Sequence, residues 1–160
     1  LMPRADEDHL PPFDRDATHA VYDRWHGWWR AQRRQHAPEF AFGFGLSYTG
    51  FELAGAALER DGDDVVLTVD VRNTGERDGA DVVQVYADLP DPDAPARLAA
   101  FARVAVPAGG TRRVELRVPP SRLATRDTAG RRWRPASGTH RFSIARHAAD
   151  PDAIGLDVEL

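Results

Sequence analysis

Two parts of different character meet at residues 40–51, which read Phe40-Ala41-Phe42-Gly43-Phe44-Gly45-Leu46-Ser47-Tyr48-Thr49-Gly50-Phe51. The stretch contains five aromatic residues and three glycines but no charged residue. Flexible linkers are polar, and aromatic side chains carry a large apolar area that stabilises a protein when it is buried. We therefore predict that residues 40–51 form a packed seam that joins a strand-built domain to something else.

Short segments of alternating polarity follow this seam. Between Val65 and Asn73, every second residue is Val or Leu and most residues between them are polar, which is typical of a half-buried antiparallel strand. Similar segments recur about every 8–12 residues with turn residues between them, so we predict an all-β protein, an immunoglobulin-like antiparallel β-sandwich. Further strands are predicted at 51–58, 80–87, 97–106, 111–118, 140–145 and 154–160, with Trp133 at the start of another and a short helical turn at 121–123.

The sequence before the seam predicts an irregular, partly helical extension. Residues 1–18 are rich in Pro, Asp and Arg, which favours extended, irregular structure. Part of residues 19–35 is predicted to be helical, because Trp25, Trp28 and Trp29 have the spacing of one helix face and Tyr22 extends it. Gly27 interrupts this face. Exposed tryptophans could stack on sugar rings, but large apolar patches usually mark an interface. Packing between domains is therefore the favoured interpretation.

The amino-acid composition limits the domain number, the expected partners and the cysteine chemistry of the chain. The chain has 160 residues, enough for one domain with an extension, and a formal net charge of −4. All 21 basic residues are Arg, which we attribute to composition bias, because they are dispersed among 25 acids. We expect neither a nucleic-acid nor a membrane partner. The absence of Cys excludes disulfides and Cys-ligated zinc, yet it leaves a cytoplasmic or a secreted location open.

No motif predicts a catalytic, cofactor or metal site. Ser47 is one residue out of place for the nucleophile elbow G-x-S-x-G and precedes a strand rather than a helix. The acids at Asp61, Asp63 and Asp64 resemble the start of a calcium loop, but a strand follows them, so a hairpin turn is predicted. The six histidines show no metal-ligand spacing.

Two segments resemble glycoside hydrolase family 3, which includes β-glucosidases and β-xylosidases. Residues 42–49, followed by Phe51, are similar to the signature between the family's α/β sandwich domain and its C-terminal fibronectin type III-like domain. Residues 69–86 resemble the pattern Val-x-Asn-Thr-Gly-x-x-x-Gly-x-x-Val-x-Gln-x-Tyr of that C-terminal domain. Ala41 stands where the family has Pro. Weaker likeness at residues 3–13, 22–27, 98–106, 114–123 and 133–138 extends the resemblance over nearly the whole chain.

The resemblance implies a division of the chain and a set of partners. Residues 1–39 would be the tail of the upstream α/β domain with its linker, and residues 40–160 the fibronectin type III-like sandwich. The family's Asp nucleophile and acid/base Glu belong to other domains, so the chain is expected to be structural and inactive alone, as a truncated product, a split gene or a fragment. Its expected partners are the catalytic barrel and the α/β domain, with a β-linked oligosaccharide or self-association as further expectations. The residues expected in such contacts are Trp25, Trp28, Trp29, Phe42, Phe44 and Tyr48.

Two other functions remain open at this stage. The chain could be a carbohydrate-binding module whose tryptophans form a platform, or a free-standing immunoglobulin-like interaction module. The sequence does not specify the sugar or the linkage.

Overall fold

The computed structural model of the protein describes residues 15–19, 21, 23, 25–91 and 94–160. Its contacts divide the chain into two compact units, which meet in sequence between Phe44 and Gly45. Most of the leader predicted to be irregular, and the whole of Tyr22, lie outside the described residues.

The N-terminal unit contains one short helix within its described part, α1 (Trp28–Arg33). This helix lies within the predicted range 19–35 and begins after Gly27, whose φ of 59° is in the left-handed region that a right-handed helix cannot contain. Trp25 therefore lies before the helix, and only Trp28 and Trp29 belong to it. Ala31 is the buried residue of α1.

The second unit is built from antiparallel strands, as the alternating pattern predicts. Its elements are β1 (Phe51–Asp61), β2 (Asp64–Asn73), β3 (Gly79–Asp88), β4 (Arg97–Val106), β5 (Thr111–Val118), α2 (Pro120–Leu123), β6 (Ala124–Asp127), β7 (Arg132–Pro135), β8 (Thr139–Ala145) and β9 (Ile154–Glu159). Strands β1, β2 and β5 form a three-stranded sheet in that order, and β4, β3, β8 and β9 form a four-stranded sheet. A separate hairpin pairs β6 with β7. The all-β sandwich is confirmed.

The core lies between the inner faces of the two sheets. Successive side chains of a strand point to opposite faces, so every second residue of β2 and β3 reaches the core. Each such aliphatic side chain contributes about 1.5–3 kcal/mol by its burial. The innermost members, all fully buried, are Val65, Leu67, Val69, Val71, Val83, Val85, Val118, Phe142 and Ile144.

Two local features depart from a regular sandwich. The pairing of β1 with β2 shifts register between Ala54 and Ala57, a bulge in an edge strand of the kind that discourages pairing with other chains. The β6–β7 hairpin forms a two-stranded sheet of its own. The sequence did not predict strand β6. No helix among the described residues is long and apolar enough to cross a membrane.

Candidate functional site

The C-terminal end of the seam is fixed to the sandwich at the turn that follows β2. The Thr49 hydroxyl donates a hydrogen bond of 2.6 Å to Oδ1 of Asn73, and the Thr74 N–H donates one of 2.9 Å to the Gly50 carbonyl. Phe51 then begins β1 with its side chain in the core. The two sequence segments that carry the family resemblance therefore meet in space.

Asn73 is at the centre of this junction, because its buried side-chain amide bonds to three parts of the chain: Thr49, the turn at residues 75–77, and Val106. Its Nδ2 donates to the carbonyl of Arg77 at 2.7 Å and to that of Val106 at 3.0 Å. Its Oδ1 accepts the Gly75 N–H at 3.1 Å in addition to the Thr49 hydroxyl. A buried amide has two donor hydrogens and an acceptor oxygen with two lone pairs, and all of these are used here.

The glycines of the Asn-Thr-Gly pattern leave room for the seam. A Cβ atom added to Gly75 would lie 2.3 Å from Oγ1 of Thr49, and one added to Gly79 would lie 2.6 Å from Cγ2 of Thr49 and 3.1 Å from Cζ of Phe51. Distances under 3.0 Å require a shift of the neighbouring atoms. The absence of side chains at these two positions therefore allows the close packing of Thr49 and Phe51.

The residues just before this anchor are apolar and exposed. Leu46 is 91% exposed and Tyr48 is 93% exposed, although Thr49 and Phe51 beside them are packed on the sandwich. Within the N-terminal unit, Phe40, Phe42 and Phe44 are also exposed, and the rings of Phe40 and Phe44 lie 5.4 Å apart between centroids. Exposed apolar patches are typical of interaction surfaces.

Comparisons with known proteins agree with this geometry. Residues 81–148 match the model of the fibronectin type III-like domain family. A β-glucosidase of Rhizobium radiobacter is 38% identical over 125 residues, which cover 73% of this chain and 15% of that protein. The crystal structure of DesR, a β-glucosidase from Streptomyces venezuelae, superposes with a TM-score of 0.77 at 29% identity, covering 84% of this chain and 18% of that one.

The chain carries the fibronectin type III-like domain of glycoside hydrolase family 3. In these relatives the domain is one part of a larger glycosidase, since this chain spans less than a fifth of the length of either. A Bifidobacterium adolescentis protein described as a GH3 β-glucosidase has the same fold, with a TM-score of 0.79 at 24% identity over 85% of this chain and 21% of that one.

The three tryptophans of the N-terminal unit are half-buried. The Arg33 guanidinium lies 4.3 Å from the centroid of the Trp25 ring, a cation–π arrangement that covers one face of the indole. The backbone N–H of Trp25 donates to Oδ1 of Asp23 at 2.7 Å, which fixes the chain before α1. The structure thus assembles Trp28 and Trp29 on the helix, while Trp25 is held separately by Arg33 and Asp23.

The sequence analysis did not select Gln84 and Tyr86 as site residues. Both lie on β3, on the face opposite to the core residues Val83 and Val85, yet both are buried. The Tyr86 hydroxyl donates to Oε1 of Gln84 at 2.6 Å, and the Gln84 amide donates to the carbonyl of Arg146. Burial raises the pKa of Tyr86 to about 12. The signal that could have found them is an amide and an aromatic residue alternating with valines in a strand.

A group of charged residues closes one end of the fibronectin type III-like domain. The nearly buried Asp150 carboxylate accepts the N–H groups of Arg146 at 2.8 Å and Asp152 at 3.1 Å, so it holds the loop between β8 and β9. Burial raises the pKa of Asp81, an effect that Arg146 opposes. Asp150 and Asp152 also line an open cleft of about 400 Å³ beside the start of β1. The Asp150 carboxylate stabilises this loop, and its hydrogen bonds are those of a structural turn.

The sequence motifs that partly resemble a nucleophile elbow and a calcium loop have structural roles. Oγ of Ser47 accepts the Thr49 N–H at 3.3 Å, which is a local turn. Asp61 and Asp64 lie opposite each other in the register of the β1–β2 hairpin. Both carboxylates form ion pairs with Arg117. Among the described residues no three His, Cys, Asp or Glu side chains are grouped in a way that could hold a metal ion.

Proposed function

We propose that this chain is the non-catalytic C-terminal part of a family 3 β-glycosidase, and that Leu46 and Tyr48 dock it onto the catalytic domains. The observation that carries the proposal is the contrast at the seam. Thr49 and Phe51 are locked to the sandwich, whereas Leu46 and Tyr48 present their side chains to solvent. Docking would remove both apolar side chains from water, which favours association.

The comparisons support the identity of the partner. The relatives named β-glucosidases are several times longer than this chain, and their names describe glycoside cleavage. Retaining glycosidases need two carboxyl groups about 5–5.5 Å apart across the scissile bond. We infer that the parent protein supplies this pair from its barrel and its α/β domain. The fibronectin type III-like domain supports their arrangement.

The proposal includes the division of the chain that the resemblance implies. Residues 1–39 would be the tail and linker of the α/β domain, and residues 40–160 the fibronectin type III-like domain with its signature. The aromatic residues Phe42 and Phe44 would add to the docking area from the linker side. Their exposure in the N-terminal unit supports this assignment.

A chimeric enzyme tests the docking role. The matched segment of the Rhizobium radiobacter β-glucosidase is replaced by this chain, and thermal unfolding is compared for the chimera and for the chain alone. We expect Leu46→Asp and Tyr48→Asp each to destabilise the chimera by about 1.5–3 kcal/mol, because each removes a buried apolar side chain from the interface. The same substitutions should change the stability of the chain alone by less than about 0.5 kcal/mol, since both residues are exposed there.

The control is Phe101→Asp, which places the same charge on an exposed aromatic position of β4. It should leave the chimera unchanged. Equal unfolding midpoints for the unsubstituted chimera and for the Leu46→Asp and Tyr48→Asp chimeras would contradict the proposed docking surface.

A further inference from the structure

The β6–β7 hairpin presents an exposed tryptophan beside an arginine. The register pairs Arg126 directly with Trp133, so both side chains lie on the same side of the ribbon. Trp133 is 66% exposed, and the Arg126 guanidinium lies 6.0 Å from the centroid of its ring. The guanidinium covers one face of the indole. A large area of the ring remains open to solvent.

The hairpin is a basic patch on an acidic chain. Residues 124–135, which form the hairpin, contain four arginines and one aspartate, which gives a local charge of +3 where the whole chain has −4. The aspartate, Asp127, is paired with Arg134 at 2.8 Å and with Arg132 at 3.8 Å. The register places all three on the side of the ribbon away from Trp133. In the described part of the chain, Arg126 has no carboxylate partner and is available to an anionic ligand.

The hairpin is held in place rather than loosely attached. Nη1 of Arg97 donates to the Ala124 carbonyl at 2.9 Å, which joins the start of β6 to the sandwich. Leu123 and Ala124, just before and at the start of β6, are buried. The Gly130 N–H donates to Oδ1 of Asp127 at 2.9 Å and closes the turn of the ribbon. The platform formed by Arg126 and Trp133 is therefore preorganised, which lowers the entropic cost of binding.

We propose that Arg126 and Trp133 bind a carboxylate-bearing oligosaccharide, with a uronic acid residue at the hairpin. The apolar face of a sugar ring can pack on the open face of the indole, as apolar groups do on aromatic rings. The planar guanidinium on the other face can pair with the carboxylate of a neighbouring residue of the same oligosaccharide through two parallel hydrogen bonds. The acidic net charge of the chain disfavours a nucleic acid, whose binding requires many phosphate contacts. This platform is separate from the docking residues Leu46 and Tyr48.

Isothermal titration of the whole chain tests this site. The probes are a tetramer of galacturonic acid, the neutral cellotetraose, and a short single-stranded oligonucleotide. We expect the acidic tetramer to bind at least tenfold more tightly than either of the others, with an affinity that falls as salt is raised. Trp133→Ala should weaken binding of the acidic tetramer at least tenfold. Arg126→Lys should weaken it severalfold, because Lys keeps the charge but loses the planar fork.

Phe101→Ala is the matched control, since Phe101 is 68% exposed on β4 and lies outside the hairpin. It should bind the acidic tetramer like the unsubstituted chain, and equal unfolding midpoints should show that all variants are folded. The proposal is overturned if the acidic tetramer does not bind at millimolar concentration, if cellotetraose or the oligonucleotide binds as tightly, or if Trp133→Ala binds like the control.

Discussion

Asn73 shows how one residue connects distant parts of the fibronectin type III-like domain. Its amide bonds Thr49, which is 24 residues earlier, and the carbonyl of Val106, which is 33 residues later. The sequence Asn-Thr-Gly predicts a turn, because an Asn side chain bonds nearby backbone groups. The bonds to the Gly75 N–H and to the Arg77 carbonyl are of this local kind. The longer contacts depend on how the strands pack, so no local pattern could have predicted them.

Asp81 should make the stability of the domain depend on pH. Burial raises the pKa of Asp81 above its usual value of 3.8, because the charged form is poorly solvated at this position. The hydrogen bond from the Val82 N–H lowers the pKa of Asp81, as do Arg146 and His147 to a smaller extent, whereas Asp150 raises it further. The folded state therefore binds the Asp81 proton more tightly than the unfolded state. The resulting cost to stability is complete at neutral pH and is relieved as the pH falls through the raised pKa toward 3.8.

Asp81→Asn should consequently increase the free energy of unfolding at pH 7, and this gain should shrink as the pH is lowered toward 4. Urea denaturation across this range measures it. Asn retains an oxygen that can accept the Val82 N–H, as Oδ1 of Asp81 does at 2.9 Å. Asp63→Asn, in the exposed β1–β2 turn, is the control and should show no such trend. A gain at Asp81→Asn that is constant with pH would contradict the buried-carboxylate account.

At the scale of elements, alternation predicted the strands best where one face is buried and the other is solvated. The bounds of β4 and β5 agree with the sequence prediction at both ends. Strand β6 was missed because four residues are too short to show a period. The helix α1 lies within the predicted range 19–35 and begins only after Gly27, so that Trp25 is outside it.

The junction between the seam and β3 can be tested with two glycines. Gly79→Ala should destabilise the chain by about 1–3 kcal/mol, because the added methyl group overpacks against Thr49 and Phe51. Gly45→Ala is the matched control, since a Cβ there meets no atom within 4 Å, and it should be neutral within about 0.5 kcal/mol. Urea midpoints measure both. Equal effects of the two substitutions would show that the junction is not closely packed.

At the scale of the whole molecule, the sequence predicted the sandwich and the family, and the structure and the comparisons confirm both. The sequence did not predict which side chains of the seam are exposed. Its composition indicated apolar area that has to be covered, but composition does not specify which surface covers it. The structure locates the boundary at Thr49, where the packed part ends and the exposed Tyr48 begins. Whether Trp25, Trp28, Trp29, Phe42, Phe44 and Tyr48 contact other domains or a sugar stays a prediction.

The central claim is that this chain supports a glycosidase without containing its reacting carboxylates. Release of p-nitrophenol from an aryl β-glucoside tests it most directly, with three purified proteins compared. These are the chain alone, the Rhizobium radiobacter β-glucosidase shortened by its matched segment, and that shortened enzyme fused to this chain. We predict turnover by the fusion, none by the chain alone, and little by the shortened enzyme. Turnover by the chain alone that persists after contaminating glycosidases are removed, or full activity of the shortened enzyme, would contradict the claim.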